Sequence, residues 1–210
     1  MLCKEEVRSP FHRIFQNLKF YLFFQKTVNF VYGGLDNKIR NLLSENITPG
    51  SLALDIGCGT GEYSGISGGK CLSIDLNMKY LSYAISNSGK NHVKYLCMSS
   101  SRMGLQDGCI ATVYAVRLFH HLSDDDIRGT LREVMRLLKP DGKIVFFDIV
   151  DPGPGKPFLR RLTLMDRGKY VRSFDENSKL LEDVLGEAKE KRIVYFSGNP
   201  FPYGLWTFSN

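Results

Sequence analysis

Apolar and polar positions alternate along the chain in two rhythms. In residues 11–30, Phe11, Ile14, Phe15, Leu18, Leu22 and Phe23 recur at the spacing of one helical face. Phe20, Tyr21 and Phe24 widen that face, so the helix is expected to touch more than one surface. Tyr32-Gly33-Gly34 breaks it, and Leu35–Asn46 reads as a second helix closed by Thr48-Pro-Gly50. From there short apolar runs take turns with amphipathic segments. The predicted strands are Leu52–Ile56, Cys71–Ile74, Val93–Cys97, Ile110–Val116 and Lys143–Val150. Between them fall a short helix over Glu62–Ile66 ended by Gly68-Gly69, and another over Met78–Ser86. A third helix is capped by Ser123, carries the stripe Ile127, Leu131, Val134 and Leu138, and ends at Lys139-Pro-Asp-Gly142. A helix over Phe174–Leu185 and two strands, Arg192–Ser197 and Tyr203–Phe208, close the chain. Strands alternating with helices predict an α/β fold in one domain.

The most informative stretch is Leu52-Ala-Leu-Asp-Ile-Gly-Cys-Gly-Thr-Gly61. It runs from a buried strand into a turn where Gly57, Gly59 and Gly61 let the chain bend sharply and a ligand approach the backbone. Such turns commonly take phosphate at a helix N-terminus. The dinucleotide fingerprint, however, needs a third glycine where Glu62 stands, which argues against a nicotinamide-dependent oxidoreductase. Asp55 adds negative charge at the strand end, so a ligand with cationic groups suits the site better.

Asp55-Ile-Gly-Cys-Gly-Thr-Gly61 resembles motif I of the class I S-adenosylmethionine-dependent methyltransferases, and Asp75, ending the run Cys71–Ile74, stands where that family has its ribose-binding acid. The small-molecule, type-11-like members are the nearest match in pattern. The resemblance implies a Rossmann-like, doubly wound, seven-stranded, mostly parallel sheet with an antiparallel C-terminal hairpin. It implies S-adenosyl-L-methionine as cofactor, held by Asp55, Gly57, Cys58, Gly59, Gly61, Asp75, Leu76, Ser99, Ser100 and Arg117. Ser99 falls where many members carry an aspartate for the adenine amino group, so that bond would be uncharged here. Cys58 stands where related motifs have a small residue, and is expected to be structural. The family pattern covers residues 35–210. Residues 1–34 are expected to form an aromatic helical lid, an interfacial helix or a helix packed on the domain, and 151–173 an insertion capping the acceptor.

Methyl transfer asks mainly for alignment and exclusion of water, with a base only where the acceptor must lose a proton. His120 and His121, after the fourth strand, are the candidate bases, because histidine titrates near neutrality. The histidine pair followed by leucine resembles a frequent pattern of small-molecule members. Tyr32 and Tyr170 are candidate acceptor contacts. Asp124-Asp-Asp126 suits the positive end of a helix dipole, so a metal site is not expected.

Composition narrows the picture. The chain has 210 residues, 43% hydrophobic and 24% charged, the balance of a soluble domain. The start lacks a secretion-signal pattern, no apolar run reaches membrane length, and five scattered cysteines give no disulfide framework. A reducing cytoplasm is the expected setting. The net charge is +6, and Lys156, Arg160, Arg161, Arg167, Lys169 and Arg172 face only Asp166 within one short segment. Interleaved with Phe158, Leu159, Leu162, Leu164 and Tyr170, these cations suit an acceptor with an acidic and a greasy part, with Arg160, Arg161 and Arg167 as the grip. Peripheral contact with membrane headgroups is a related expectation. Nucleic acid is not expected: the chain lacks the Asn/Asp-Pro-Pro-aromatic motif of amino-group DNA methylases and the Pro-Cys of cytosine C5 enzymes. An RNA-modifying enzyme and a non-catalytic methyltransferase-like module remain the alternatives. Oligomeric state is not legible.

Overall fold

Strand residues without a polar face must be covered on both sides, and the central strands here have none. In β1 (Ala53–Ile56) all four residues are buried, and β4 (Ile110–Val116) is buried at every position but one. The structure is a computed structural model that describes Leu22 and residues 34–66, 68–158, 160, 169–186, 190–196 and 202–209. The expected lid over 1–34 lies outside the described residues except for Leu22 and Gly34, as do Tyr32, Arg161 and Arg167.

The other strands are β2 (Cys71–Asp75), β3 (Val93–Cys97), β5 (Leu138–Ile149), β6 (Glu190–Phe196) and β7 (Tyr203–Ser209). They form one seven-stranded sheet in the order β3-β2-β1-β4-β5-β7-β6. The first five are parallel; β7 lies antiparallel to β5 and to β6. This is the expected Rossmann-like α/β arrangement with its C-terminal hairpin. The strand order reverses between β1 and β4, so the ligand crevice belongs at their carboxyl ends.

Helices α1 (Leu35–Asn46), α2 (Met78–Asn87), α3 (Asp124–Leu137) and α4 (Phe174–Leu185) cover the sheet. Ile39 and Leu43 of α1 share a core with Tyr63, Tyr114, Val145, Phe147 and Tyr203. Ile127, Leu131 and Val134 of α3 and Leu180, Leu181 and Leu185 of α4 share another with Leu54, Ile56, Val113, Phe146 and Trp206. Both α3 and α4 begin with a serine and an acid three residues on, Ser123–Asp126 and Ser173–Glu176, which cap each other reciprocally. The three aspartates at the start of α3 thus have the structural role expected of them. Among the described residues no helix is long and apolar enough to cross a membrane.

Two local expectations are corrected. The helix expected over Glu62–Ile66 is a series of turns, because Gly61, Gly65 and Gly68 all take left-handed backbone (φ 79°, 65° and 70°), which a right-handed helix cannot accommodate. The turn expected at Lys139-Pro-Asp-Gly142 is instead an irregularity inside β5. Leu138 pairs with Ile110 and Lys143 with Thr112, so the residues between them bulge out of the ladder. Leu138 therefore opens the strand rather than completing the helical stripe. Gly142 is needed there, since a Cβ would sit 2.5 Å from Leu138 Cδ2. The closing strands are also shifted by up to two residues from expectation.

Candidate active site

The glycine turn is built from the strand end upward. Gly57, Gly59 and Gly61 have φ of 69°, 53° and 79°, each in the left-handed region. Gly57 and Cys58 both donate their N–H to the Ile74 carbonyl, at 2.8 and 3.0 Å. Space is as restrictive as conformation, since a Cβ on Gly57 would lie 2.6 Å from Leu118 Cδ1. The turn is thereby pressed between β2 and the loop after β4.

Asp75 ties the two strand ends together. Its Oδ2 accepts from the Gly59 N–H at 2.8 Å and its Oδ1 from the Asn77 N–H at 2.7 Å. Asp55 lies deeper: it is only 2% exposed, and its Oδ2 accepts from Ser64 Oγ at 2.7 Å. Burial pushes its carboxyl up to about 7; the Ser64 hydroxyl and Lys90 pull the other way, while Asp75 adds to the rise. Asp55 is thus an anchor beneath the turn rather than an open acid. The Cys58 thiol is pushed up by burial and then by Asp55 and Asp75, which suits a packing residue and not a nucleophile.

Around the turn, Leu76 is 55% exposed beside Asp75 and offers an apolar face. Ser99 Oγ lies 3.1 Å from Ser101 Oγ, and Ser100 Oγ lies 2.8 Å from Thr130 Oγ1 of α3. Arg117, the first residue past β4, is the only described non-glycine residue with positive φ, at 57°. Its backbone N–H is held by the Phe147 carbonyl at 2.7 Å.

The loop continues as a single tight helical turn, Phe119–His121. His120 is buried against Asp148 of β5, which accepts from its backbone N–H at 3.0 Å and from its ring Nδ1 at 2.6 Å. A carboxylate can only accept, so Nδ1 carries a proton. His121 is half-buried, with its ring centroid 4.0 Å from that of His120.

The segment after β5 is fastened to this loop. Tyr170 donates its N–H to the His120 carbonyl at 2.9 Å. Arg172 donates to the Phe119, Leu122 and Tyr170 carbonyls and to Asp124. Arg160, expected at the acceptor mouth, donates to Asp151 at 2.9 Å. The structure therefore brings the glycine turn, Asp75, Leu76, Arg117 and the histidines to one edge of the sheet. It gives Arg172 and Arg160 internal partners, so the basic segment offers fewer open cations than its composition suggests.

Sequence reasoning assigned no role to Asp148, although a lone acid in the apolar run Ile144–Val150 signals a buried carboxylate in need of donors. Asp36, which accepts from the Tyr63 hydroxyl at 2.6 Å next to Arg117, left no signal at all, since it is one acid in an ordinary first helical turn.

Residues 54–146, somewhat under half of the chain, match the family model described as "Methyltransferase domain". Over 112 residues the chain is 28% identical to the tRNA (carboxymethyluridine(34)-5-O)-methyltransferase alkbh8 of Xenopus tropicalis. That match covers 52% of this chain but only 17% of the relative. A SAM-dependent methyltransferase from Aquifex aeolicus superposes with a TM-score of 0.60 at 23% identity, covering 80% of this chain and 87% of that one. Geranyl diphosphate C-methyltransferase from Streptomyces coelicolor A3(2), solved with S-adenosyl-L-homocysteine, superposes with a TM-score of 0.66 at 13% identity, covering 82% and 75%. At these identities the structural likeness speaks for the fold, and the matched family together with the turn and its acid speaks for the chemistry. Residues 54–146 thus match a methyltransferase domain, within a fold shared with S-adenosylmethionine-dependent methyltransferases.

Proposed function

We propose that this enzyme methylates an oxygen or nitrogen of a small-molecule or lipid-linked acceptor, with His121 taking the acceptor's proton where one must leave. The observation that carries this is the half-buried His121, its ring centroid 4.0 Å from that of the buried, Asp148-bound His120, in the loop whose Leu118 lies against Gly57. S-adenosylmethionine supplies an electrophilic methyl group on a sulfonium, so the chain's own residues have to orient and deprotonate. The Gly57–Gly61 turn and Asp75 hold the cofactor, with Leu76, Ser99 and Ser100 along its adenosine end. Asp148 fixes the tautomer of His120 and thereby the shape of the loop that presents His121. Phe158, exposed at the start of the 151–173 segment, supports an acceptor with a greasy part.

A second reading, RNA methylation, is favoured by the partial likeness to the tRNA enzyme. Transfer of labelled methyl should be measured with carboxylic and phenolic amphiphiles, amines, a prenyl diphosphate and total tRNA. We expect incorporation into an amphiphile, lowered roughly 10²–10⁴-fold in His121→Ala with cofactor affinity unchanged. Incorporation into tRNA alone would establish the second reading. Full turnover in His121→Ala would remove that residue from the chemistry.

A further inference from the structure

Arg117 is out of the ordinary in three respects. Its backbone is left-handed, an arrangement that costs energy for a residue with a Cβ and that persists where the surroundings impose it. Only 20% of its side-chain surface is accessible. Its Nε and Nη2 are fully buried and have no hydrogen-bond partner among the described residues. The Asp36 carboxylate lies 3.8 Å from Nη2, close enough to balance charge but too far for a hydrogen bond, and its Oδ1 is already taken by the Tyr63 hydroxyl. Burial works against the charge of the guanidinium, and the Glu62 and Asp36 carboxylates near it work the other way.

The two orphaned donors are not an arbitrary pair. Nε–H and one Nη2–H point the same way along one edge of the guanidinium, and that edge matches the two oxygens of a carboxylate. Buried donors of a charged group are rarely left unmatched, so the edge calls for a bidentate acceptor. Its place says which process that acceptor serves. Arg117 directly follows β4, whose neighbour β1 leads into the glycine turn, and the adjacent Leu118 packs on Gly57.

We infer that the Nε/Nη2 edge of Arg117 is a carboxylate subsite beside the glycine turn, built to take a carboxylate of a bound reactant in a two-point grip. The inference rests on reading the Gly57–Gly61 turn as the cofactor site. Two reactants can bring that group to this place, namely the amino-acid end of the cofactor or an acidic acceptor. The left-handed backbone sets the direction of the side chain, and the Asp36 carboxylate balances its charge until the reactant's carboxylate arrives.

The test uses the full chain and three variants, Arg117→Met, Arg117→Lys and Asp36→Asn. Calorimetry is run with S-adenosylhomocysteine and with 5′-methylthioadenosine, which keeps the adenosyl thioether and lacks the amino-acid end. The protein loaded with S-adenosylhomocysteine is then titrated with butyrate and with butyramide and followed by thermal shift. If the cofactor supplies the carboxylate, Arg117→Met loses roughly 10–100-fold in affinity for S-adenosylhomocysteine and none for 5′-methylthioadenosine. If the acceptor supplies it, both nucleosides bind as before, and butyrate but not butyramide stabilises the loaded wild type and fails to stabilise the variant. Arg117→Lys keeps the charge without the fork, so it should show most of either loss, and it carries the test where Arg117→Met fails to fold. Asp36→Asn should retain the carboxylate preference. Folded variants with wild-type affinity for both nucleosides and a wild-type response to butyrate would overturn the inference. A wild type that binds neither nucleoside would overturn the cofactor site itself, a different result from failure of the arginine alone.

Discussion

Asp75 and Asp55 lie in neighbouring strands and do opposite work. Asp75 accepts from the turn at Gly59, so Asp75→Ala frees the turn and, on the proposed function, also removes a cofactor contact. Calorimetry with S-adenosylhomocysteine should show about 1.5–3 kcal/mol of lost affinity, the range for hydrogen bonds to a charged group. Asp55 is instead a stability residue with a pH signature. Its folded value is raised from 3.8 to about 7, chiefly by burial, so the folded chain keeps a proton that the unfolded chain gives up. This contribution is whole below the unfolded value and is lost as the pH rises toward the folded one. It amounts to at most ~4 kcal/mol. Asn at this position keeps an acceptor for Ser64 and has no proton to lose. Urea unfolding between pH 4.5 and 8 should therefore show a shallower fall in stability for Asp55→Asn than for wild type; parallel curves would refute this account of Asp55.

At the scale of elements, the segment after β5 is fastened to the loop after β4 rather than floating over it. Arg172 spans three carbonyls and Asp124, and the Tyr170 N–H is spent on His120. Arg172→Met should lower stability by about 2–3 kcal/mol through carbonyls left without donors. It should also raise amide exchange at residues 119–122 and lower turnover, because the histidine loop loses its strap. Arg172→Lys should rescue little, since a single ammonium cannot span the same acceptors. Normal exchange in that loop in Arg172→Met would show that the strap is incidental. The cap of α3 is a smaller matter: Ser123→Ala should cost about 1 kcal/mol in urea unfolding and leave cofactor affinity untouched.

At the scale of the whole molecule, Trp206 joins the C-terminal hairpin to the helical layer. It is fully buried, stacks on Phe174 at 5.4 Å and donates to Ser178 Oγ at 2.8 Å. A Cβ on Gly204 would lie 2.1 Å from its ring, so the strand has glycine where the indole folds back. Gly204→Ala should destabilise by about 1–3 kcal/mol through overpacking. Because this is the single tryptophan, its fluorescence reports how the hairpin and α4 come apart. A Gly204→Ala midpoint equal to wild type would mean that the ring moves aside at no cost.

The sequence by itself determined what depends on neighbours along the chain. Short apolar runs marked the five parallel strands, Ser123 marked the start of α3, and the Asp55–Gly61 glycines marked the tight turn after β1. Each is a local device whose residues lie within a few positions of one another. Tertiary structure decided what depends on partners far apart in number. Asp148 meets His120 across 28 positions and Arg172 meets Asp124 across 48, and neither pairing leaves a periodic trace. The helix expected over Glu62–Ile66 gave way to glycines whose left-handed backbone serves the turn, a preference that apolar spacing does not record. The open charge of the basic 151–173 segment is likewise not readable from composition. Composition counts charges, whereas burial and hydrogen bonding decide which of them remain open to a ligand. On that ground Arg172 is taken up by the protein, Arg160 stays exposed but paired with Asp151, and Arg117, which the resemblance gave as one cofactor contact among several, has two buried donors unmatched.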